Sequence, residues 1–183
     1  SIKNISYNTT NNKPIVTTVD GNNIESDVLI FSTGFQSTQF LSPITFIGKD
    51  NINLHDHWNN SPIAYYGLCL PKFPNFFILY GPHTNLGHNS IIFMLECQVN
   101  YIVQCLTNVL DNDNINSIKL KEKVMIQYEK YSNDTLKNTV FSKDCASWYK
   151  NKEGKVINNS PFSTVYYWWK TLSPSFSNFN LSK

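Results

Sequence analysis

The sequence contains no arginine, and all fifteen of its basic residues are lysine. Arginine is the side chain best suited to bidentate contacts with phosphate groups. The seven glycines are spread so that no two of them are separated by a single residue. A GxGxxG loop, the phosphate-binding fingerprint of a dinucleotide-binding unit, is therefore absent. The chain lacks both features with which proteins most often bind a pyrophosphate.

Strong charge and long hydrophobic runs are missing as well. The net charge of +2 at pH 7 argues against nucleic acid or an anionic membrane surface as partner. No apolar run is long and uninterrupted enough for a transmembrane segment. None of the four cysteines forms a CxxC pair, which indicates reduced thiols and a cytoplasmic location. The chain begins with Ser1 rather than methionine, so we expect a piece of a larger protein or a truncated product.

What the sequence does contain is enough apolar material for one core, since 41% of its 183 residues are hydrophobic and 14% are aromatic. Residues 4–9 and 15–19 are predicted strands, and Asp20-Gly21 predicts a hairpin turn. Residues 28–31 (VLIF) form a fully apolar run typical of a central parallel strand. That run ends in STGF, where Gly34 is expected to supply a tight turn.

The middle of the chain predicts a strand, a tight turn and a long helix. The strand is predicted at 76–80, and Gly81-Pro82 ends it. Four residues are candidate N-caps of the helix: Thr84, Asn85, Asn89 and Ser90. Apolar residues spaced three and four apart predict its buried stripe: Ile92, Leu95, Val99, Ile102, Leu106 and Val109. Such a helix start favours electron-rich ligand groups, although most strand–turn–helix units only connect elements.

The last third of the chain predicts less regular structure. A short extended piece is expected at 118–120 and a second helix at 121–137. The aromatic run 166–169 would either complete the core or form an exposed patch, and 176–183 is expected to be a loose end. Asparagine clusters recur along the chain and are expected in turns.

The histidines invite a metal-site hypothesis, which the sequence does not favour. His55 and His57 flank Asp56, but no third ligand is placed by the sequence, and structural zinc sites normally use four ligands. We therefore predict no metal site. A metal-dependent hydrolase using these two residues together with His83 and His88 has no supporting spacing.

Four motifs resemble those of one known family. They are DVLIF-STGF at 27–35, FPNFFILYGP at 73–82, GPHTNLGHNS at 81–90 and CASWY at 145–149. Together they resemble the C-terminal portion of FAD-dependent monooxygenases, in the superfamily of the Baeyer–Villiger and flavin-containing monooxygenases. The resemblance extends from about Asp20 to Tyr166 and so covers most of the chain.

The resemblance implies an α/β fold class. More closely, it implies a partial FAD/NAD(P)-binding fold of the two-dinucleotide-domain flavoproteins, without the N-terminal Rossmann phosphate loop and with a helical, aromatic C-terminal tail. Residues 1–35 would form a β-hairpin and a return strand into the FAD domain. Residues 36–110 would form the C-terminal segment of that domain, with the flavin-facing turn and helix. Residues 111–183 would form a helical or irregular cap.

The resemblance also implies a cofactor site. Reduced flavin carries negative charge near N1 and O2 of its ring, which the amides of a helix start stabilise. His83 or His88 would be a hydrogen-bond donor to the ring, or else a surface residue or a cap. No catalytic residue is identified. The residues expected to contact FAD are Thr33, Gly34, Gly81, Pro82, His83, Thr84, Asn85, Gly87 and His88.

Two functional hypotheses follow from the resemblance. In the first, the chain is the C-terminal fragment of a monooxygenase that uses FAD, NADPH and O2 to oxygenate a small organic substrate. The NADPH site would lie outside this chain, and the isolated chain would be inactive. In the second, the chain is a catalytically inactive remnant, a scaffold or interaction module of the same fold. In either case a missing N-terminal half is a candidate partner.

Overall fold

The protein is described here by a computed structural model that covers residues 1–145 and 147–183. Ala146, which belongs to the predicted CASWY element, lies outside the described residues. The chain divides into two compact units, Ser1–Phe35 and Gln36–Lys183.

The first unit is a three-stranded antiparallel sheet with the order β1-β2-β3. Its strands are β1 (Ile2–Asn8), β2 (Lys13–Thr18) and β3 (Asn23–Glu25). The two predicted strands at 4–9 and 15–19 are confirmed to within two residues at their ends. The turn between β2 and β3 contains Gly21 with a φ of 88°, a conformation that glycine adopts without steric cost. Asp20-Gly21 therefore marks a hairpin turn, as the sequence predicts.

The predicted central parallel strand at 28–31 is wrong for this chain. The segment pairs with no other strand of the described residues. The side chains of Val28, Ile30 and Phe31 are exposed. A central parallel strand requires a neighbour on each side, and the described residues supply neither. Gly34, which follows this segment, has a φ of 71°, a conformation that glycine adopts without steric cost.

The described residues of the second unit form four α-helices and a two-stranded sheet. The helices are α1 (Leu54–Trp58), α2 (Ile91–Leu110), α3 (Glu122–Lys137) and α4 (Thr164–Thr171). The strands β4 (Ser117–Leu120) and β5 (Phe179–Ser182) pair antiparallel. This confirms the extended piece at 118–120 and the helix at 121–137. Among the described residues, no helix is both long and apolar enough to cross a bilayer.

The tail of the chain is ordered by pairing. The predicted loose end at 176–183 is wrong, because β5 pairs with β4 and Phe179 is buried opposite Leu120. The aromatic run at 166–169 lies in α4. Part of it completes the core and part of it is exposed, so each of the two predicted alternatives holds for some of its residues. Tyr167 is buried in the core, whereas Trp168 and Trp169 are exposed.

Helix α2 starts where the sequence predicts, but it buries a different face. The Ser90 hydroxyl accepts a hydrogen bond from the Phe93 amide at 3.4 Å, which confirms Ser90 as the N-cap. The buried apolar residues are Met94, Cys97, Tyr101 and Cys105. The predicted buried stripe is wrong in three of its members, since Ile92, Val99 and Leu106 are exposed. Both faces of α2 are apolar, so the spacing alone could not identify the buried one.

The predicted strand at 76–80 is wrong as well. The segment is irregular, although Ile78 is buried and its amide donates to the Leu68 carbonyl at 2.7 Å. Asn75 and Tyr80, at its two ends, have φ values of 56° and 55°. Positive φ values interrupt an extended strand, so the apolar run enters the core without joining a sheet.

In the part of the second unit that the structure describes, the buried apolar residues form two clusters. The larger one is rich in tyrosine and includes Tyr66, Tyr101, Tyr128, Phe162 and Tyr167. The smaller one packs α1 against the chain that follows it and includes Leu54, Trp58, Leu70, Phe73 and Ile78. Cys69, Cys97, Cys105 and Cys145 are all free, as the sequence predicts.

Candidate functional site

The turn that starts at Gly81 is closed by the contact of two glycine backbones. A Cβ placed on Gly81 would lie 2.2 Å from the carbonyl oxygen of Gly67. A Cβ placed on Gly67 would lie 2.2 Å from Cγ2 of Thr84 and 3.0 Å from the carbonyl oxygen of Pro82. The Thr84 hydroxyl donates to the Gly81 carbonyl at 2.7 Å. Residues Gly81 to Thr84 are all buried, so the turn is a fixed internal feature.

The imidazole of His83 is held by the protein at both nitrogens. Nε2 lies 3.0 Å from the Val156 carbonyl oxygen, which only accepts, so Nε2 carries the proton. Nδ1 then accepts from the Ser132 hydroxyl at 3.2 Å. Burial, opposed by the hydrogen bond to Val156 and helped by the charge of Lys155, lowers the pKa of His83 to about 4. The ring is therefore neutral at physiological pH and has no free nitrogen for a ligand.

A segment near the C-terminus supports the other side of the turn. The amides of His83 and Asn85 donate to the carbonyls of Ile157 and Asn158, both at 3.0 Å. The Asn85 side chain donates to Oδ1 of Asn159 at 2.7 Å. Asn158 and Asn159 are buried, and Asn159 forms an isolated parallel bridge with Asn85. No signal in the sequence pairs residues that are about 74 positions apart.

Gln98 connects the turn to the helices behind it, a role that the sequence did not predict. Its Oε1 accepts from the Tyr80 amide at 2.9 Å, and its Nε2 donates to the Tyr167 hydroxyl at 3.1 Å. That hydroxyl donates to the Tyr66 carbonyl at 2.6 Å. Burial raises the pKa of Tyr167, so its hydroxyl keeps the proton that this chain of hydrogen bonds needs. Gln98 itself is fully buried.

Gln98→Leu should lower the free energy of unfolding by about 2 kcal/mol, because it leaves the partners of a buried amide without hydrogen bonds. Urea denaturation followed by circular dichroism measures the change. Gln127→Leu, at an exposed position of α3, is the matched control and should change stability by less than about 0.5 kcal/mol. Equal effects of the two substitutions would contradict the role of Gln98.

Backbone strain is concentrated around the same turn. Tyr66, Tyr80 and His83 have φ values of 50°, 55° and 61°. Bulky residues rarely adopt such values, which cost on the order of 1–2 kcal/mol each. Strain of this kind persists only where the surrounding contacts enforce it, and it is concentrated at functional sites.

The chain becomes exposed directly after this turn. Gly87, His88, Asn89 and Ser90 are exposed and lead into α2. A Cβ on Gly87 would meet nothing within 4 Å. The first turn of α2 contains no acidic residue that would offset the partial positive charge of the helix start. A buried, rigid turn thus leads to an open helix N-terminus.

The predicted site residues therefore fall into three groups. Gly81, Pro82, His83, Thr84 and Asn85 lie together in the turn, and Gly87 and His88 lie on the exposed approach to α2. Thr33 and Gly34 belong to the first unit. The contact of any of these residues with FAD remains a prediction.

The part of the chain that the structure describes contains no group of three metal-ligating side chains. His55 and His57 lie in the short helix α1 rather than in an extended segment. Residues two apart on a helix do not face each other. His55 Nε2 lies 3.0 Å from the Ile44 carbonyl oxygen and so donates to it.

Comparison with known proteins gives relatives of one kind, although no family model matches the sequence. The FAD-binding monooxygenase ktnD of Aspergillus niger is 39% identical over 152 residues, which are 81% of this chain and 25% of the relative. A Baeyer-Villiger monooxygenase of Pseudomonas aeruginosa is 37% identical over 134 residues, which are 72% of this chain and 25% of the relative. The chain thus spans about a quarter of the length of these curated relatives, and the predicted family resemblance is confirmed.

Solved structures agree on the fold. The closed crystal structure of cyclohexanone monooxygenase matches with a TM-score of 0.77 and 22% identity, over 92% of this chain and 32% of that chain. A complex of OTEMO with FAD and NADP matches with a TM-score of 0.76 and 23% identity, over 91% of this chain and 32% of that one. The α/β class and the likeness to the FAD- and NADP-binding monooxygenase fold are therefore confirmed, although every strand pair in this chain's sheets is antiparallel.

Proposed function

We propose that this chain, which is related to FAD-binding monooxygenases over about a quarter of their length, is the C-terminal part of such an enzyme and supplies one wall of its flavin pocket. The observation that carries the proposal is the contrast within residues 81–90. The turn at 81–85 is fixed by hydrogen bonds to the segment at 156–159, whereas residues 87–90, which lead into α2, are exposed. A cofactor wall needs this combination of a rigid base and an accessible face.

The residues present suit the ring end of FAD and not its pyrophosphate. The start of α2 offers backbone amides and no acidic side chain, which suits the electron-rich edge of a flavin ring. His88, Asn89 and Ser90 are the exposed polar side chains beside it. The sequence has neither a GxG nor an arginine for the diphosphate. In the proposed enzyme a different part of the protein holds that end of FAD.

Each element has a defined part in this proposal. His83, Asn85 and Gln98 are positioning residues that keep the turn rigid. The start of α2 orients the ring and stabilises negative charge on it. Residues 111–183 form the helical, aromatic cap. FAD, when bound, supplies the redox chemistry with NADPH and O2, acting on a small organic substrate that the chain does not identify.

The alternative function is an inactive scaffold of the same fold, which would keep the core but have lost the cofactor. The exposed apolar face of α2 is compatible with this scaffold function, because such a face can contact another polypeptide whether or not flavin is bound. The two candidates differ in one measurable property, which is FAD bound by the assembled protein.

The test is a chimera in which the matched region of the Aspergillus niger relative is replaced by this chain. We expect the purified chimera to retain FAD, seen by its visible absorbance after desalting, and the isolated chain to retain none. Gly87→Asp in the chimera should weaken FAD binding about fivefold and lower the midpoint potential of the flavin, because it adds a negative charge at the helix start. Gly87 has room for the new side chain, so its effect is electrostatic.

Asn138→Asp, beyond the end of α3, is the matched control and should leave FAD binding and the potential unchanged. A soluble chimera without FAD would contradict the flavin function and favour the scaffold. Equal FAD binding and equal potentials for Gly87→Asp and the unmodified chimera would contradict the assignment of this wall. FAD retained by the isolated chain would show that the pyrophosphate end is not needed.

A further inference from the structure

Helix α2 is apolar on two faces. One face carries the buried residues of the core, including Met94, Tyr101 and Cys105. The other face exposes a row of aliphatic residues, here called the outer seam: Ile92, Val99, Val103, Leu106 and Leu110. Their side chains are between 41% and 78% exposed. They are separated by seven, four, three and four positions, so they lie on one side of the helix, with Glu96 between the first two members.

Helix α3 shows what a water-facing helix in the same chain looks like. Its exposed positions include five charged residues, which are Glu122, Lys123, Lys130, Asp134 and Lys137. The exposed positions of α2 include one charged residue, Glu96. A helix that is apolar around most of its circumference is typical of the interior of a larger protein. The outer seam is therefore not adapted to water.

We propose that the outer seam is an interface, covered in the working protein by the polypeptide that corresponds to the remaining three quarters of the curated relatives. The proposal rests on the proposed function. Its occupant is an apolar face of a helix or sheet with few charges, since only such a face matches a stripe with one carboxylate. Ile92 is the second residue of α2, so the interface begins beside the helix start that is proposed to face the flavin.

The composition of α2 argues against a membrane as the occupant. Helices that lie on membranes carry lysine or arginine on their polar face or flanks. Helix α2 contains neither, and Asp111 and Asp113 follow it. The relatives, by contrast, contain about three times as much additional chain as this protein matches. A polypeptide occupant therefore accounts for the seam better than a lipid surface does.

The first unit also exposes an apolar segment that has no partner among the described residues. Residues 28–31 are apolar at four successive positions, which is typical of a strand buried on both faces. In the described part of the chain no strand pairs with them, and Val28, Ile30 and Phe31 are exposed. The same additional polypeptide would supply flanking strands.

The first test is co-purification. The tagged chain is co-expressed with the part of the Aspergillus niger monooxygenase that lies outside the matched 152 residues. We expect the two polypeptides to co-purify. Val103→Glu in the tagged chain should reduce the recovered amount of the Aspergillus niger polypeptide at least tenfold. Val103 is half-exposed, so the variant should keep its helix content and unfolding midpoint. Ile126→Glu makes the same change at an exposed isoleucine of α3 and should leave recovery unchanged.

The second test does not require the Aspergillus niger polypeptide to fold in isolation. Val103→Cys and Ile126→Cys are made with Cys145→Ser, which removes the exposed native thiol. Both are labelled with a maleimide in the isolated chain and in the chimera. We expect labelling of Val103→Cys to be at least tenfold slower in the chimera than in the isolated chain. Labelling of Ile126→Cys should proceed at the same rate in both.

Three results would overturn the proposal. The first is equally fast labelling of Val103→Cys in the isolated chain and the chimera. The second is a dimer of the isolated chain, seen by light scattering, that Val103→Glu dissociates, because a second copy would then be the occupant. The third is binding of the isolated chain to phosphatidylserine vesicles that Val103→Glu abolishes. A protected seam in a chimera without FAD would support the interface and contradict the flavin function.

Discussion

Gly81→Ala should destabilise the second unit by about 3 kcal/mol or more, a large fraction of the 5–15 kcal/mol typical of a folded domain. The added methyl group would lie 2.2 Å from the Gly67 carbonyl oxygen, a backbone atom that cannot turn aside as a side chain can. Relief of the clash requires the two segments to separate, which would also disturb the Thr84 and His83 hydrogen bonds. Urea denaturation measures the loss.

The matched control for this substitution is Gly87→Ala. It adds the same methyl group six residues later, at a position with open space around it and no positive φ. It should change stability by less than about 1 kcal/mol, and in the stabilising direction if the less flexible alanine restricts the unfolded chain. If Gly81→Ala were tolerated as well as Gly87→Ala, the close backbone contact that defines the turn would be wrong.

The stability of the second unit should fall by about 3 kcal/mol between pH 6.5 and pH 4 through His83 alone. The pKa of His83 is about 4 in the folded protein, against 6.5 as its ordinary value. Above pH 6.5 the ring is neutral in both states, so stability is complete. Between the two values only the unfolded chain binds the proton, which favours unfolding. Below pH 4 both states are protonated, and this loss does not grow further.

The measurement is the free energy of unfolding by urea at several pH values, compared with that of His83→Gln. The variant is expected to be less stable at pH 7, because it loses the fitted ring and its bond to Val156. Between pH 6.5 and pH 4 the free energy of unfolding of the variant should fall less than that of the unmodified chain. The difference between the two decreases is the contribution of His83. His88→Gln, at an exposed position, should keep the full pH dependence. Parallel curves for His83→Gln and the unmodified chain would contradict the neutral buried ring.

Local patterns predicted the elements that local forces determine. The Ser90 cap, the hairpin turn at Asp20-Gly21 and the helix predicted at 121–137 depend on residues that are close in sequence. The structure has all three. The relationship to flavin monooxygenases was likewise visible in short motifs such as 73–82 and 81–90. These features need no knowledge of which distant segments meet.

The errors arose where distant contacts decide. Residues 28–31 and 76–80 have the composition of strands, but a strand exists only with a hydrogen-bonded neighbour, and the described residues provide none for either. Helix α2 has two apolar faces, and the period cannot say which one meets the core. The tail at 176–183 became ordered because β4, some sixty residues earlier, pairs with it.

The sequence by itself determined the class of protein, the absence of a phosphate loop, and the position of the turn that leads into α2. Only the tertiary structure decided what the residues of that turn do. His83 looked like a ligand donor, but burial and two hydrogen bonds make it a fixed internal support. Gln98 and Asn159 had no visible role until folding placed them beside Tyr80 and Asn85. The reason is physical: the role of a polar side chain depends on its burial and its partners, and both come from segments far away in the chain.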